Sequence, residues 1–527
     1  MTGQPLLLGI DVGTSGAKAL LIDAAGRVVA ETINEYPLFT PRPLWAEQNP
    51  QDWWDAAVVS IQQAMKKGRA KPEQVAGIGL TGQMHGLVLL DGKGKVLRPC
   101  ILWNDQRTAS QCAAITARLG SQRILELTGN PVLPGFTAPK ILWVREREPE
   151  VLGKAAKILL PKDYLRYRLS GDYVSEVSDA SGTSLFDVGK RRWSEEMAEA
   201  FEVPRRWLPE VTESPAVSAR VSAGAAKATG LLAGTPIVGG GGDQAAQAVG
   251  NGITETGLVA VTIGTSGVVF APGKTYRRDP QGRLHAFCHA VPGMWHLMGV
   301  MLSAGGSFRW YRDHLCPEEV ALARQGNRDA YDLLTEAASG VPAGAEGLLF
   351  LPYLSGERTP YPDPAARGVF FGLSLRHTKA HLTRAVLEGV SFGLLDSLAL
   401  IRSSGVPVRE IRVSGGGARS ALWRQILADV FGKTIVTVNV TQGAAYGAAL
   451  LAAVGAGIYR TVEEACRVTV GGQPSARPGP DEAVYRDYYP RYQALYRALK
   501  DEFQRVALLA TKRPAIRRRP RERLEEG

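Results

Sequence analysis

The tetrapeptide Gly-Thr-Ser-Gly stands at 13–16 and again at 264–267, and each copy directly follows an apolar run that reads as a buried strand, Leu6 to Val12 and Gly257 to Ile263. Strand-like residues also follow each copy, Ala17 to Asp23 and Val268 to Ala271. A turn of this composition offers backbone N–H groups and two hydroxyls with little side-chain bulk, which suits a phosphate chain. Its repetition in the same strand–turn–strand setting implies two related domains gripping one polyphosphate from opposite sides.

The 527 residues would fill three or four domains at roughly 150 residues each. The duplication fits two α/β domains of roughly 240 residues better. The expected division is 1–242, 243–510 and a basic tail at 511–527. Part of the net charge of +11 sits in that tail, where Lys512 to Gly527 holds seven Lys/Arg against three Glu. Such a segment reads as a solvated end, with contact to nucleic acid as the competing reading. Five scattered cysteines without a CxxC pair argue against a disulfide framework or zinc site and fit reduced thiols in a cytoplasmic protein. Thr434 to Tyr459 is uncharged and long enough to span a bilayer, but polar residues interrupt it. It reads as a strand at 434–440, a turn, and an Ala-rich buried helix at 443–457. No membrane association is expected, and the oligomeric state stays open, a homodimer included.

The first half opens with strands at 6–12, 17–23 and 27–36, then a helix at 51–67 and a strand at 75–80. An amphipathic segment at 105–119 and helices at 137–147 and 163–169 follow. Ile237 to Asp243 is a strand entering a bend of four glycines, where hinge-like changes of φ and ψ are available. The second half repeats the opening hairpin. It adds helices at 303–313, 379–403, 418–431, 443–457 and 484–509, with a strand at 410–414 leading into Gly415, Gly416 and Gly417. The pattern is mixed α/β.

Asp11 ends the first strand just before the phosphate-type turn. It reads as a ligand to Mg²⁺ standing between carboxylate and phosphate, or as a turn-capping aspartate. Thr262 takes its place in the second copy, so the halves are not equivalent. Lys18 faces either phosphate or solvent. Asp243, on the glycine bend, reads as a general base for a substrate hydroxyl or as a helix N-cap. Met84 and His85, and Trp103 with Asn104 and Asp105, have the polarity of a small polar-ligand pocket. Gly415 to Gly417 suit the approach of a nucleotide.

These pieces resemble the FGGY carbohydrate kinases of the actin-like (ribonuclease H-like) ATPase superfamily, over about Leu6 to Leu509. Gly135-Phe136-Thr137-Ala138-Pro139-Lys140 is similar to the family's first signature. Gly368 to Leu373 with His381 to Glu388 is similar to its second. Thr81 to Gly86, Leu102 to Asp105, Leu160 to Tyr164 and Leu354 to Pro360 resemble the members that phosphorylate D-xylulose. Glycerol-phosphorylating members carry Arg-Glu where Met84-His85 stand here. The resemblance implies two domains around a cleft, with ATP, Mg²⁺ and a ketopentose as ligands. It implies Asp243 as catalytic base and Asp11 beside metal and phosphates. Met84, His85, Trp103 and Gln244 fall on the sugar side. Thr14, Ser15, Lys18, Gly264, Thr265, Gly305, Gly415, Gly416, Gly417 and Ser420 fall on the nucleotide side. Gln244 departs from the Asp-Asn pair common in the xylulose group. Ribulose, deoxy-sugars and polyols are alternative acceptors. A nucleotide-dependent sensor with a nucleic-acid-binding tail is a non-enzymatic alternative.

Overall fold

A computed structural model describes residues 4–511; the expected basic tail, beyond its first residue, lies outside the described residues. Each half is built on a seven-stranded mixed sheet. The first runs in the order Val217–Arg220, Pro236–Val238, Val75–Gly82, Leu6–Val12, Gly16–Asp23, Val28–Glu35, with Gly241–Gly242 also paired to Val75–Gly82. The second runs His285–Cys288, Trp295–Met301, Gly267–Gly273, Leu258–Ile263, Glu410–Ser414, Ile435–Val438, Gly472–Ala476. The duplication extends to the pairing. Leu6–Val12 is antiparallel to the strand after its turn and parallel to Val75–Gly82. Leu258–Ile263 is antiparallel to the strand after its turn and parallel to Glu410–Ser414.

The apolar strands are buried on both faces, as the lack of alternation in Leu6–Val12 requires. Leu6, Leu8, Ile10 and Val12 pack with Trp53, Ala57 and Ile61 of the helix Pro50–Lys67. Leu7 faces the opposite way, toward Ala445 and Ala449 of the helix Ala444–Gly455. That helix belongs late in the chain but lies on the first sheet, where it also packs against the helix Asp243–Gly250. Its alanines and glycines allow backbone-to-backbone approach. A Cβ on Gly79 would fall 1.9 Å from the Ala448 carbonyl oxygen, and one on Gly447 would fall 1.8 Å from that of Ala246. The uncharged 434–459 stretch is thus a strand and an interdomain helix. Among the described residues no helix is long and apolar enough to cross a membrane.

Gly79→Ala is therefore expected to lower the unfolding free energy by about 2–3 kcal/mol, because backbone rather than a mobile side chain obstructs the methyl. Gly224→Ala, inside the helix Ala223–Thr229 with open space at its Cβ, is the control and is expected to be neutral or stabilising. Urea unfolding of both variants checks the difference.

Some boundaries differ from the sequence reading. The 105–119 segment becomes helical only at Ala109. Asp105 is instead buried, accepting the Ala46 amide at 2.7 Å and pairing with Arg107 at 2.6 Å. The 418–431 helix begins at Ala421 after a 3₁₀ turn, Gly416–Arg419. Two further helices, Pro317–Gln325 and Ala330–Ser339, fill a stretch without a sequence assignment.

Candidate active site

Strand register sets the first part of the site. Asp11 lies opposite Thr81, and Thr81 lies opposite Gly241, all at the carboxyl ends of parallel strands. Ligands of open α/β sheets gather at that edge. Asp11 Oδ1 and Thr81 Oγ1 are buried without a hydrogen-bond partner among the described residues. Burial pushes the Asp11 carboxyl up to about 6, with Lys18 across the hairpin pulling the other way. Lys18 is itself held by Glu31 at 2.8 Å. The second sheet answers differently at the equivalent place. Thr262 and Ser414 are 3.0 Å apart, Gln247 Nε2 donates to Thr262 at 3.1 Å, and Asn251 donates to Ser414 at 3.3 Å. Only the first half leaves a bare carboxylate at this position.

Each turn is closed by the N–H of its first glycine, but one residue apart. Gly13 N–H closes the first onto Gly16 O at 3.1 Å, and Gly264 N–H closes the second onto Ser266 O at 3.0 Å. Thr14 is fixed by a closed circuit. Its hydroxyl donates to Gln83 Oε1 at 3.2 Å and accepts from Trp103 Nε1 at 3.1 Å. Gln83 Nε2 donates to Gln48 at 2.8 Å, and Gln48 Nε2 returns to the Thr14 carbonyl at 2.7 Å. Ser15 is exposed beside it.

Beyond this turn lies a polar pocket. His85 sits in the left-handed region at φ 70°, where Lys140 Nζ fastens its carbonyl at 2.7 Å and that of Gly135 at 2.8 Å. Burial drives the Lys140 ammonium down to about 7. His85 Nδ1 lies 2.7 Å from the Gly182 carbonyl oxygen, which can only accept. Nδ1 therefore carries the proton, and Nε2 presents a lone pair. Burial holds this imidazole neutral, down to about 3. Its ring stacks on Phe136 at 4.5 Å, and Phe287 from the second half comes within 6.2 Å. Met84 joins the same apolar wall. Trp103 is 41% exposed, with Asn104 Oδ1 buried and unpartnered next to it.

The glycine bend connects the pocket to the turns. Gly240 has φ 74°, and a Cβ there would meet Leu80 O at 1.9 Å. Arg166, fully buried, donates to the carbonyls of Val238 and Gly239 at 2.6 Å each. At the far end Gly242 N–H donates to Ser178 Oγ at 3.0 Å. The bend is thus fixed, and the N-cap position falls on Gly242 rather than on Asp243. The Asp243 carboxylate accepts the Gln244 amide at 2.7 Å. Burial, and then the nearby Asp11 charge, push Asp243 up to about 7, while Gln244 pulls it down. One turn along the same helix, Gln247 reaches Thr262 beside the second phosphate-type turn. The short helix Asp243–Gly250 thereby joins both sheet edges in one cleft.

Gly264, Thr265, Gly305, Gly416, Gly417 and Ser420 line a single cavity of about 320 Å³ in the second half. Phe308, Tyr331 and Trp423 supply aromatic surface there. Gly305 permits its helix to abut the turn, since a Cβ would lie 2.4 Å from Gly264 O. Gly415, at φ 85°, sits outside the lining and turns the chain over Ile263. Ser420 caps the following helix through Trp423 N–H at 3.3 Å. Gln83, Lys140, Phe136, Phe287 and Tyr331 were not singled out from sequence. Gln83 and Lys140 lay inside motifs that had been recognised, whereas Phe287 and Tyr331 carry no local signal and enter through tertiary packing.

Duplicated sheets around a cleft, each with a glycine turn at its carboxyl edge, define an actin-like ATPase fold. The chain belongs to the FGGY family of carbohydrate kinases: the family's N-terminal domain matches residues 6–250 and its C-terminal domain residues 259–456. A xylulose kinase of Escherichia coli K12 is 41% identical over 94% of this chain and 99% of its own. A gluconokinase of Bacillus subtilis is 33% identical over 95% and 97% respectively. The crystal structure of a xylulose kinase from Rhodospirillum rubrum superposes with a TM-score of 0.88 at 33% identity, covering 95% of this chain and all (100%) of that one.

Proposed function

We propose that this carbohydrate kinase transfers the γ-phosphoryl group of ATP to O5 of D-xylulose. The observation that carries the reading is Asp243, a carboxylate without a cationic partner among the described residues, on the helix that borders Met84 at one end and reaches Thr262 beside the second glycine turn. The similarity to xylulose kinases over nearly the whole chain supports the choice of sugar.

In this reading the acceptor lies along Met84, His85 and Trp103, and Gln244 flanks the reacting hydroxyl. His85 Nε2 accepts from a sugar hydroxyl, a direction set by the Gly182 contact. Asp243 takes the proton of the attacking hydroxyl as the O–P bond forms. The amides of Thr14, Ser15 and Thr265 hold phosphate oxygens, with Lys18 adding positive charge at the rim. Adenosine occupies the aromatic cavity near Gly416, Gly417 and Ser420. Closure of the halves excludes water, the competing acceptor.

The orphaned Asp11 Oδ1 beside Asp243 fits Mg²⁺, which takes one or two carboxylates and completes its shell with phosphate oxygens and water. Among the described residues no cluster of three or more His, Cys, Asp or Glu could hold an ion by itself, so phosphate would be part of the site. When bound, the ion neutralises charge on the transferring group.

Incubation with MgATP and a panel of D-xylulose, D-ribulose, D-gluconate and glycerol, followed by NMR of the products, tests the assignment. D-Xylulose 5-phosphate from the preferred acceptor is the expected result. Preference for gluconate, the acceptor named for one relative, would move the specificity to a sugar acid while leaving the kinase chemistry in place.

A further inference from the structure

The acceptor pocket is electrically polarised. Its phosphoryl end carries the carboxylates of Asp11 and Asp243. A positive charge, that of Arg358 in the segment Leu354 to Pro360, acts on the pocket at His85. Hydrogen bonds from its neighbour locate that segment: Thr359 N–H donates to Val300 O at 3.1 Å, and Thr359 Oγ1 donates to Arg283 O at 2.9 Å. Val300 packs against the apolar group that contains Met84, Phe136 and Phe287. Two residues after Arg283 comes His285, whose ring lies 5.8 Å from Phe136, the residue on which His85 stacks. The Arg358 charge reaches both imidazoles, helping to hold His85 and His285 neutral. Its guanidinium forms no hydrogen bond or ion pair among the described residues; adjacent Glu357 instead accepts the Leu302 and Arg358 amides at 3.0 and 2.7 Å. A half-buried guanidinium with unused donors is available to a ligand.

The chemistry of the proposed acceptor supplies one. The furanose ring of a 2-ketopentose is closed through O5, so a chain with a free O5 hydroxyl also has a free C2 carbonyl. We propose that Arg358 donates to the C2 carbonyl oxygen and thereby selects the open-chain ketose over polyols of the same length. This rests on the D-xylulose reading and deepens it. Close contacts tie the catalytic bend to this pocket: a Cβ on Gly242, next to Asp243, would touch Met84 Sδ at 2.9 Å, and one on Gly182 would touch His85 Cε1 at 2.3 Å. Asp243 and the Met84–His85 pair therefore border one pocket, and the Arg358 charge is felt at His85 within it. No bond to carbon is made or broken at this contact, and Arg358 is a binding residue.

Arg358→Met keeps much of the side-chain volume and removes the donors. The kcat/KM for D-xylulose is expected to fall roughly 10- to 100-fold, the loss associated with a charged hydrogen bond. The inhibition constant of xylitol, which lacks the carbonyl, is expected to change less than about threefold, since a contact specific to the carbonyl oxygen does not bear on a polyol. A purely structural role would weaken both ligands together, and that result overturns the proposal, as does an unchanged D-xylulose value. Should the variant not fold, the unaltered enzyme decides. D-Xylonate, whose planar carboxylate also offers an acceptor to a guanidinium, should inhibit competitively and at least tenfold more strongly than xylitol; equal or weaker inhibition overturns the assignment. If the unaltered enzyme forms no D-xylulose 5-phosphate at all, the functional reading itself has failed, a result separate from any Arg358 effect.

Discussion

Asp243→Asn is expected to lower kcat by about 10²–10⁴-fold, the range associated with loss of a general base. The same variant is expected to melt higher than the parent at pH 8. Asp243 rises from 3.8 to about 7 in the folded chain, chiefly through burial. A group raised in this way favours the folded state below the unfolded pKa, and that contribution is lost as pH rises through the folded value. At pH 8 the parent has lost it, whereas asparagine stays neutral at every pH. A shift of this size corresponds to at most ~4 kcal/mol; the partial opening of Asp243 to the cleft reduces the expectation to ~1–2 kcal/mol. Near pH 4 the parent carboxyl is protonated and the two melting curves should converge. Differential scanning calorimetry at both pH values, with single-turnover kinetics at pH 8, checks both effects. Full turnover in Asp243→Asn would remove the base assignment.

Asp11→Asn is expected to reduce kcat/KM at a fixed, limiting Mg²⁺ concentration by about 10²–10³-fold, comparable with removal of one preorganised charge-stabilising group. The KM for the sugar should change little, because the proposed reading puts Asp11 with the phosphates. A second readout distinguishes this from general damage. The Asp11 charge helps to raise Asp243, so its removal should move the acid limb of the kcat/KM profile to lower pH. Titration of the rate with Mg²⁺ and pH profiles at saturating Mg²⁺ measure the two effects separately. An unaltered Mg²⁺ requirement would place the ion elsewhere.

Much of the architecture was legible because it rests on local patterns. The doubled Gly-Thr-Ser-Gly motif marks both hairpins, and the first glycine N–H closes each turn, onto Gly16 in the first and onto Ser266 in the second. The Ala-rich stretch was read as a buried helix rather than a membrane span, and it is Ala444–Gly455. Its destination was not legible. Nothing in the local pattern says that this late helix lies on the first sheet, against Gly9 and Gly79. The site divided in the same way. Asp11, Asp243, Met84 and His85 stood out beside glycines or at strand ends. Phe287 and Tyr331 did not, since each reaches its site from a segment whose own sequence is unremarkable; Arg358 lies inside the recognisable Leu354 to Pro360 motif, but its free guanidinium shows only in the fold. The N-cap alternative for Asp243 also needed coordinates, because a one-residue difference in helix start separates Gly242 from Asp243 as the capping residue.

The order of residues alone determined the duplication, the strand–turn–strand openings and the placing of Asp11 just before the first turn and Asp243 just after the glycine bend, because backbone chemistry and hydrophobic pattern act over a few neighbouring positions. Tertiary structure decided that Asp11 remains unpaired while Thr262 is satisfied by Ser414 and Gln247. It also decided that one short helix joins both sheet edges and that the Gly182 carbonyl fixes the proton of His85 on Nδ1. Those outcomes depend on burial and on partners far apart in the chain, and desolvation acts on a group only once the fold has closed around it.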